Sequence, residues 1–174
     1  PNGTVSKKYD LEANQLIKIS KNSAEKLYAN DEMTNPLFSN VSADGDSLFT
    51  HTENAFNDYA FQVLMPHKMS NLGPALATGD VNGDGFEDIF IGGAMNQKSQ
   101  LYYQTPEGNF IVGKVFEEHS IQESIDAFFF DVDNDDDLDL YVVNGGNEFE
   151  KSSIHYQDRL YLNEDGVLKV SEVL

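Results

Sequence analysis

Apolar residues come in short runs along this chain, and most runs end in a cluster of Asn, Asp, Gly or Pro. Short apolar runs closed by turn residues read as β-strands. The pattern is clearest after residue 71. Residues 75–78 lead into an acidic loop at 80–88, and an apolar run at 87–91 follows. A hairpin comes next, with residues 101–104, a turn at Pro106-Glu107-Gly108-Asn109, and residues 110–115. The same order then returns: residues 127–130, an acidic loop at 131–139, residues 138–143, residues 159–162, a turn at Asn163-Glu164-Asp165-Gly166, and residues 167–170. Each copy predicts four short antiparallel strands joined by Gly-containing turns. Four-stranded units that repeat along a chain indicate blades of a β-propeller. Two copies fall short of the roughly four blades that a closed ring needs. The expected fold is therefore all-β, a partial propeller: either further chain completes the ring, or the blades form an open arc whose exposed edges invite self-association.

The pattern is weaker upstream. Residues 4–9 and 15–19 have strand-like composition and predict a hairpin around 10–14. Asn22 or Ser23 is placed to cap a short helix over 24–29. Residues 30–36 are polar and rich in turn formers, which predicts a linker between a first region, 1–30, and a second, 37–174. In the second region, 38–41, 48–53 and 61–64 are further candidate strands. The connection over 147–158 is longer than its counterpart in the first copy, and long loops are where binding surfaces concentrate.

The two acidic loops carry the most specific chemistry. One is Asp80-Val81-Asn82-Gly83-Asp84-Gly85-Phe86-Glu87-Asp88; the other, 51 residues on, is Asp131-Val132-Asp133-Asn134-Asp135-Asp136-Asp137-Leu138-Asp139. Both place side-chain oxygens at relative positions 1, 3, 5 and 9. Such crowding is repulsive unless a hard cation sits among the oxygens, and Ca²⁺ takes ligands of this kind. The candidate ligands are Asp80, Asn82, Asp84, the carbonyl of Phe86 and Asp88 in the first loop. In the second they are Asp131, Asp133, Asp135, the carbonyl of Asp137 and Asp139. Two Ca²⁺ ions are expected. An EF-hand needs a bidentate Glu at position 12, where these loops have Ile91 and Val142, so a sensor built on an opening helix pair is disfavoured. Gly85 stands where the chain needs a positive φ, which glycine tolerates freely. Asp136 takes that place in the second loop, at some cost. The bland alternative is a pair of solvated Asx turns; the recurrence in matching context favours metal.

Composition narrows the field. With 11 Lys+Arg against 30 Asp+Glu, the formal charge is −19. Two divalent ions would leave the chain strongly acidic, so nucleic acid and anionic membrane surfaces would be repelled. Acidity alone can signal disorder, but 12 Phe and 8 Tyr in strand-like runs indicate a folded chain. No apolar stretch is long enough to span a bilayer. Cysteine is absent, which removes disulfides, thiolate metal sites and Cys nucleophiles. The chain opens on Pro1-Asn2-Gly3, without a Met, as expected of a piece cut from a longer protein.

No catalytic constellation stands out. There is no Gly-x-Ser-x-Gly elbow and no phosphate-cradling Gly-Lys-Ser/Thr loop. His51 and Glu53 could supply a transition-metal pair joined by His67 and His119, but isolated histidines in loops more often serve as hydrogen-bonded turn residues. The aromatic runs Tyr102-Tyr103 and Phe128-Phe129-Phe130 suit packing between blades better than sugar stacking.

The sequence Gly79-Asp80-Val81-Asn82-Gly83-Asp84-Gly85, with Asp131-Val132-Asp133-Asn134-Asp135 and Asp139-Leu140-Tyr141-Val142, resembles FG-GAP/VCBS repeats. Ile91-Gly92-Gly93-Ala94 approximates the Phe-Gly…Gly-Ala-Pro signature. Pro66-His67-Lys68-Met69-Ser70 and Gly73-Pro74-Ala75-Leu76-Ala77 look like the bacterial ASPIC/UnbV type, relatives of cartilage acidic protein. Gly3-Thr4-Val5 through Ala13-Asn14-Gln15-Leu16 resembles the tail of the small β-domain that flanks such propellers. Phe49-Thr50-His51-Thr52-Glu53-Asn54 resembles the strand and loop that open the next one. The resemblance implies an extracellular or cell-envelope location. It implies a propeller used for adhesion, or for binding a protein or glycan at the cell surface, and no catalytic residue. The competing expectation is a non-catalytic part of a secreted glycan-active enzyme whose active site lies outside residues 1–174.

Overall fold

The computed structural model describes residues 49–172 together with 4–5, 9, 16–18, 20 and 25–26. The chain divides into two compact units, Pro1–Asp46 and Ser47–Leu174. In the first, β1 (Thr4–Val5) pairs antiparallel with β2 (Glu25–Lys26), in the register Thr4↔Lys26 and Val5↔Glu25. The strand expected at 15–19 is absent over the described residues 16–18. Strand stands at Glu25–Lys26, where a helix was expected. Leu16 is 88% exposed, and strand-like composition yields strand only where a neighbouring surface buries it. The expected turn at 10–14, linker at 30–36 and strand at 38–41 lie outside the described residues.

The second unit opens with irregular chain. The strands expected at 48–53 and 61–64 do not form over their described residues; among the described residues of this unit, α1 (Asp58–Phe61) is the one regular element before residue 76. Val63 and Leu64 are exposed, so no sheet accepts them. Instead a buried carboxylate organises the segment. Asp58 accepts hydrogen bonds from Met69 N (3.1 Å), Ser70 N (3.2 Å), the Ser70 hydroxyl and Asn147 Nδ2 (3.1 Å). Burial raises its pKa, and these hydrogen bonds more than offset that, holding the carboxyl below its ordinary value.

Two four-stranded antiparallel sheets follow. The first has β3 (Leu76–Gly79), β4 (Asp88–Ile91), β5 (Ser99–Gln104) and β6 (Phe110–Phe116) in sequence order. The second has β7 (Glu123–Phe130), β8 (Asp139–Gly145), β9 (Arg159–Glu164) and β10 (Val167–Val170), again in sequence order. The repeated unit expected from the sequence is therefore present twice, as partial propeller blades that close no ring. The turn expected at 163–166 is tighter than that. Asn163 and Glu164 belong to β9, and Asp165 and Gly166 alone make the turn, with φ of 52° and 82°. Asp-Gly with both φ positive is the two-residue hairpin connection whose twist suits the flanking strands.

The first strands of the two sheets lie against each other. Ala75 N donates to Ser124 O (3.1 Å) and Ser124 N to Gly93 O (3.0 Å). A Cβ on Gly79 would lie 2.9 Å from Leu138 Cδ1 and 3.3 Å from Phe129 Cβ, so the two sheets approach closely there and a side chain would make Leu138 and Phe129 shift. Their shared core holds Ala77, Val81, Phe90, Leu101, Phe116, Ala127, Leu140, Val142, Tyr161 and Leu168. Phe116 meets Phe90 edge-on in its own sheet and Tyr161 edge-on in the other, at centroid distances of 5.4 and 5.0 Å. Pairs of this geometry contribute about 0.5–1.5 kcal/mol beyond their area. The run Phe128-Phe129-Phe130 splits by the strand period of two. Phe129 packs against the core, while Phe128 and Phe130 are 50% and 41% exposed and do not pack between the sheets. Tyr102 is buried as expected.

Candidate metal centres in the two acidic loops

Each acidic loop joins the first two strands of its sheet, and the two loops are built alike. Position 1 gathers backbone N–H groups from across its loop. Asp80 accepts from Asp84 N (3.1 Å) and Gly85 N (2.8 Å). Asp131 accepts from Asn134 N (2.7 Å), Asp135 N (3.3 Å) and Asp136 N (3.2 Å). Position 5 holds position 7: Asp84 accepts from Phe86 N (2.9 Å), and Asp135 from Asp137 N (3.0 Å). These short-range bonds are Asx turns, which suit Asp and Asn.

Position 9 does something the sequence did not disclose. Asp88 and Asp139 are fully buried. One oxygen of Asp88 accepts from Val81 N (3.0 Å) in the loop; the other accepts from Gln104 N (3.0 Å) at the end of β5. Asp139 repeats this with Val132 N (2.8 Å) and Asn163 N (2.8 Å) on β9. The carboxylate thus fastens the loop to the third strand of its sheet. Asn163 is buried and lies in β9, not in the turn that the sequence predicts. Its side-chain Nδ2 donates to Val81 O (2.8 Å) in the first loop and to Leu138 O (3.1 Å) in the second. The readable signal is register: Gln104 ends the β-strand that follows the loop strand, and Asn163 stands one residue before the end of its counterpart.

Backbone conformation is repeated too. Gly83 and Gly85 have φ of 71° and 89°; Asn134 and Asp136 have 63° and 71°. The positive φ expected at Gly85 and Asp136 is present, and position 4 shares it. A Cβ on either glycine meets nothing within 4 Å, so the conformation, not space, favours glycine there.

In the second loop one carboxylate oxygen from each of Asp131, Asp133 and Asp139 lies within 4.8 Å of the others. Asp135 turns to the Asp137 N–H instead. In the first loop Asn82 faces Asp84: its Oδ1 accepts from Asp84 N (3.0 Å) and its Nδ2 donates to Asp84 Oδ2 (3.0 Å). Burial and neighbouring carboxylates oppose ionisation in both loops. The Asp133 pKa is raised by desolvation, then by the charges of Asp135, Asp139 and Asp131. The Asp88 pKa is raised chiefly by burial, with Asp84 and Asp80 adding to it against the Gln104 and Val81 N–H groups. Oxygen-only donors crowded at this spacing suit a hard cation. Asp131, Asp133 and Asp139 would hold it in the second loop; among the described residues Asp80, Asp84 and Asp88 of the first loop form no comparable group.

The histidines serve elsewhere. His51 Nε2 lies 2.9 Å from Glu53 Oε1, His67 is exposed, and His119 packs edge-on against Tyr161 at 5.9 Å. A cavity of about 400 Å³ is lined by residues that include His119, His155, Asp158 and Arg159. Arg159 is committed to Tyr161 Oη (3.1 Å), Ser124 Oγ (3.1 Å) and Asn144 Oδ1 (2.8 Å), which makes it a structural cation.

Twin antiparallel four-stranded sheets, each with an acidic loop between its first two strands, define a propeller-type repeat protein. Residues 80–142, from the first loop into β8, match the family model described as FG-GAP-like repeat. No curated protein and no solved structure matches the chain.

Proposed function

We propose that this chain is a non-catalytic, Ca²⁺-binding β-propeller repeat module of the ASPIC/UnbV type. It binds a protein or glycan partner in an extracellular or cell-envelope setting. The observation that carries the metal reading is the convergence of Asp131, Asp133 and Asp139 in a loop that the first blade repeats position by position. Ca²⁺ at each loop joins the first two strands of a blade and neutralises carboxylates that otherwise repel. The exposed faces around Phe128, Phe130 and Leu76 are where further blades, or a second copy of the chain, would pack.

Calorimetric titration of the chelator-stripped chain with Ca²⁺, using Mg²⁺ as control, tests the reading. One binding event is expected to vanish with Asp84→Ala and a different one with Asp135→Ala. A folded chain whose Ca²⁺ isotherm is unchanged by both substitutions would demote the loops to solvated turns.

A further inference from the structure

The end of the second sheet opposite its acidic loop holds a pair of carboxyl groups in contact. In the register of β7 and β8, Phe130 faces Asp139 at the loop end and Glu123 faces Gly145 at the far end. Seven residues of strand separate the two ends, roughly 23 Å. Glu123 is 1% exposed. It accepts a hydrogen bond from Leu72 N and is hydrogen-bonded to the Glu148 carboxyl. A Cβ on Gly146 would lie 2.3 Å from Glu148 Oε2 and 2.7 Å from Glu123 Oε2, so glycine at this position leaves the two oxygens room to meet. Glu148 has donors of its own, Asn54 Nδ2 (3.2 Å) on Oε1 and Asn147 N (2.7 Å) on Oε2. The surrounding charges bring no relief. Among the described residues, no Lys or Arg forms an ion pair with either glutamate. From the segment before the sheets, Glu53 adds a like charge; its Oε1 is engaged by Gly73 N (3.1 Å) and by His51 Nε2 (2.9 Å). From the connection after β8 comes Tyr156, whose ionisation is opposed by burial, then by the charges of Glu148 and Glu123. Its hydroxyl is engaged by the backbone of Phe149. Arg159 of β9 bonds the Ser124 hydroxyl, whose side chain leaves β7 on the side opposite Glu123.

Two ionised carboxylates have only acceptors, so a hydrogen bond between them requires that one keep its proton. The donors around the pair decide which. Glu148 receives two N–H groups and is the carboxylate; Glu123, fully buried with one backbone donor, is the acid that donates to it. We propose that Glu123 and Glu148 form a proton-bridged pair that acts as a pH-sensitive latch, holding the segment before the sheets and the connection over 147–158 to the second blade until the bridging proton leaves. Leu72 and Asn54 belong to that segment, Glu148 to the connection and Glu123 to β7, so one proton fastens three elements. When it passes to water, two like charges remain in contact at a buried site, and separation relieves them. Burial, then the charges of Glu148 and Glu53, push the Glu123 pKa up to about 8. The folded value stands above the ordinary 4.5, so the latch contributes fully below that ordinary value. Its contribution is lost as pH rises through about 8. Long connections are where binding surfaces concentrate, and opening the latch changes the surface this one presents. The inference does not depend on metal in the acidic loops.

The test follows the Glu123 side-chain carboxyl by carbon NMR in the chelator-stripped full chain, from acid to alkaline pH. Its midpoint is expected at about 8, and its proton affinity should fall at least about tenfold in Glu148→Gln. The Leu72 and Asn147 amide resonances should move with the same midpoint, while the core amide of Val142 keeps its hydrogen-exchange protection. Glu123→Gln retains a neutral donor toward Glu148 and an acceptor for Leu72 N. Its folding constant relative to the parent's should therefore rise by up to about tenfold per pH unit between the ordinary carboxyl value and the midpoint, then level off. If Glu123→Gln fails to fold, the carbon titrations of the parent and of Glu148→Gln decide. A Glu123 carboxyl already ionised at neutral pH, or a midpoint that Glu148→Gln leaves in place, would overturn the proposal. Loss of Val142 protection at the same midpoint would overturn it as well, because the whole blade would then be opening.

Discussion

Position 9 and position 3 of the second loop should behave oppositely once metal is removed. Asp139 is fully buried and accepts from Val132 N and Asn163 N, each at 2.8 Å. Asp139→Asn keeps the shape but leaves one N–H facing an NH₂ group that cannot accept. An unsatisfied buried donor costs about 1–3 kcal/mol. Each kcal/mol shifts Tm by about 2–4 °C in a chain of this size, so metal-free Asp139→Asn should melt several degrees below the parent. Asp133 is exposed, and its ionisation is opposed by desolvation and by Asp135, Asp139 and Asp131. Asp133→Asn removes a charge the fold does not welcome, so its metal-free Tm should equal or exceed the parent's. Both variants should lose most of the second loop's Ca²⁺-induced rise. Thermal denaturation followed by circular dichroism, with chelator and with millimolar Ca²⁺, separates these outcomes. Equal destabilisation of the two variants in chelator would refute the division between an anchoring and a purely ligating carboxylate.

Saturating Ca²⁺ should raise Tm by mass action. With millimolar ion and micromolar dissociation constants, each loop adds about 4 kcal/mol, and an unchanged melting curve after complete chelation would count against any bound ion. Gly85→Ala should cost about 1–2 kcal/mol in metal-free stability, because φ is 89° in open space; a neutral result in urea denaturation would show the loop relaxing to another conformation. His119 has a pKa held below 6.5 by burial, then by Arg159. A lowered folded-state value means that the unfolded chain takes up the proton first. The stabilisation is therefore complete above pH 6.5 and is lost as pH falls below it. His119→Gln should flatten that acid limb, and an NMR midpoint for His119 at or above 6.5 would contradict the sign.

The blades were legible because each depends on local information. Turn residues, alternation and the nine-residue acidic spacing all lie within about forty residues, and the positive φ at Gly85 and Asp136 followed from loop position alone. The segment before the sheets was not legible. Its strand-like stretches at 48–53 and 61–64 form no strand over their described residues, and Asp58 holds the chain in place by bonds to Met69, Ser70 and Asn147. Nothing local marks an aspartate that will be buried by residues up to 89 positions away. The same holds for Glu123, an ordinary strand glutamate in sequence, whose burial beside Glu148 depends on how β7 and the connection after β8 meet.

Asn163 bonds to both acidic loops. Its backbone N–H sits on Asp139 of the second loop, and its side chain holds the carbonyl of Val81, which lies between Asp80 and Asn82 of the first. Gly166, at the adjoining turn, places any Cβ within 3.9 Å of Asn82. An ion that tightens one loop therefore restrains the backbone of the other. Coupling free energies are reciprocal, so filling either loop should change the affinity of the other by one common factor. Asn163→Ala strips the side-chain donors from Val81 O and Leu138 O yet keeps the N–H on Asp139. It should cost about 1–3 kcal/mol without metal, weaken Ca²⁺ binding at the first loop although none of that loop's ligands has changed, and abolish the cross-effect. Calorimetry on Asp84→Ala and Asp135→Ala, each with and without Asn163→Ala, measures the factor from both sides. If the two loops titrate independently in the parent chain, Asn163 is a packing residue and the blades bind their ions separately.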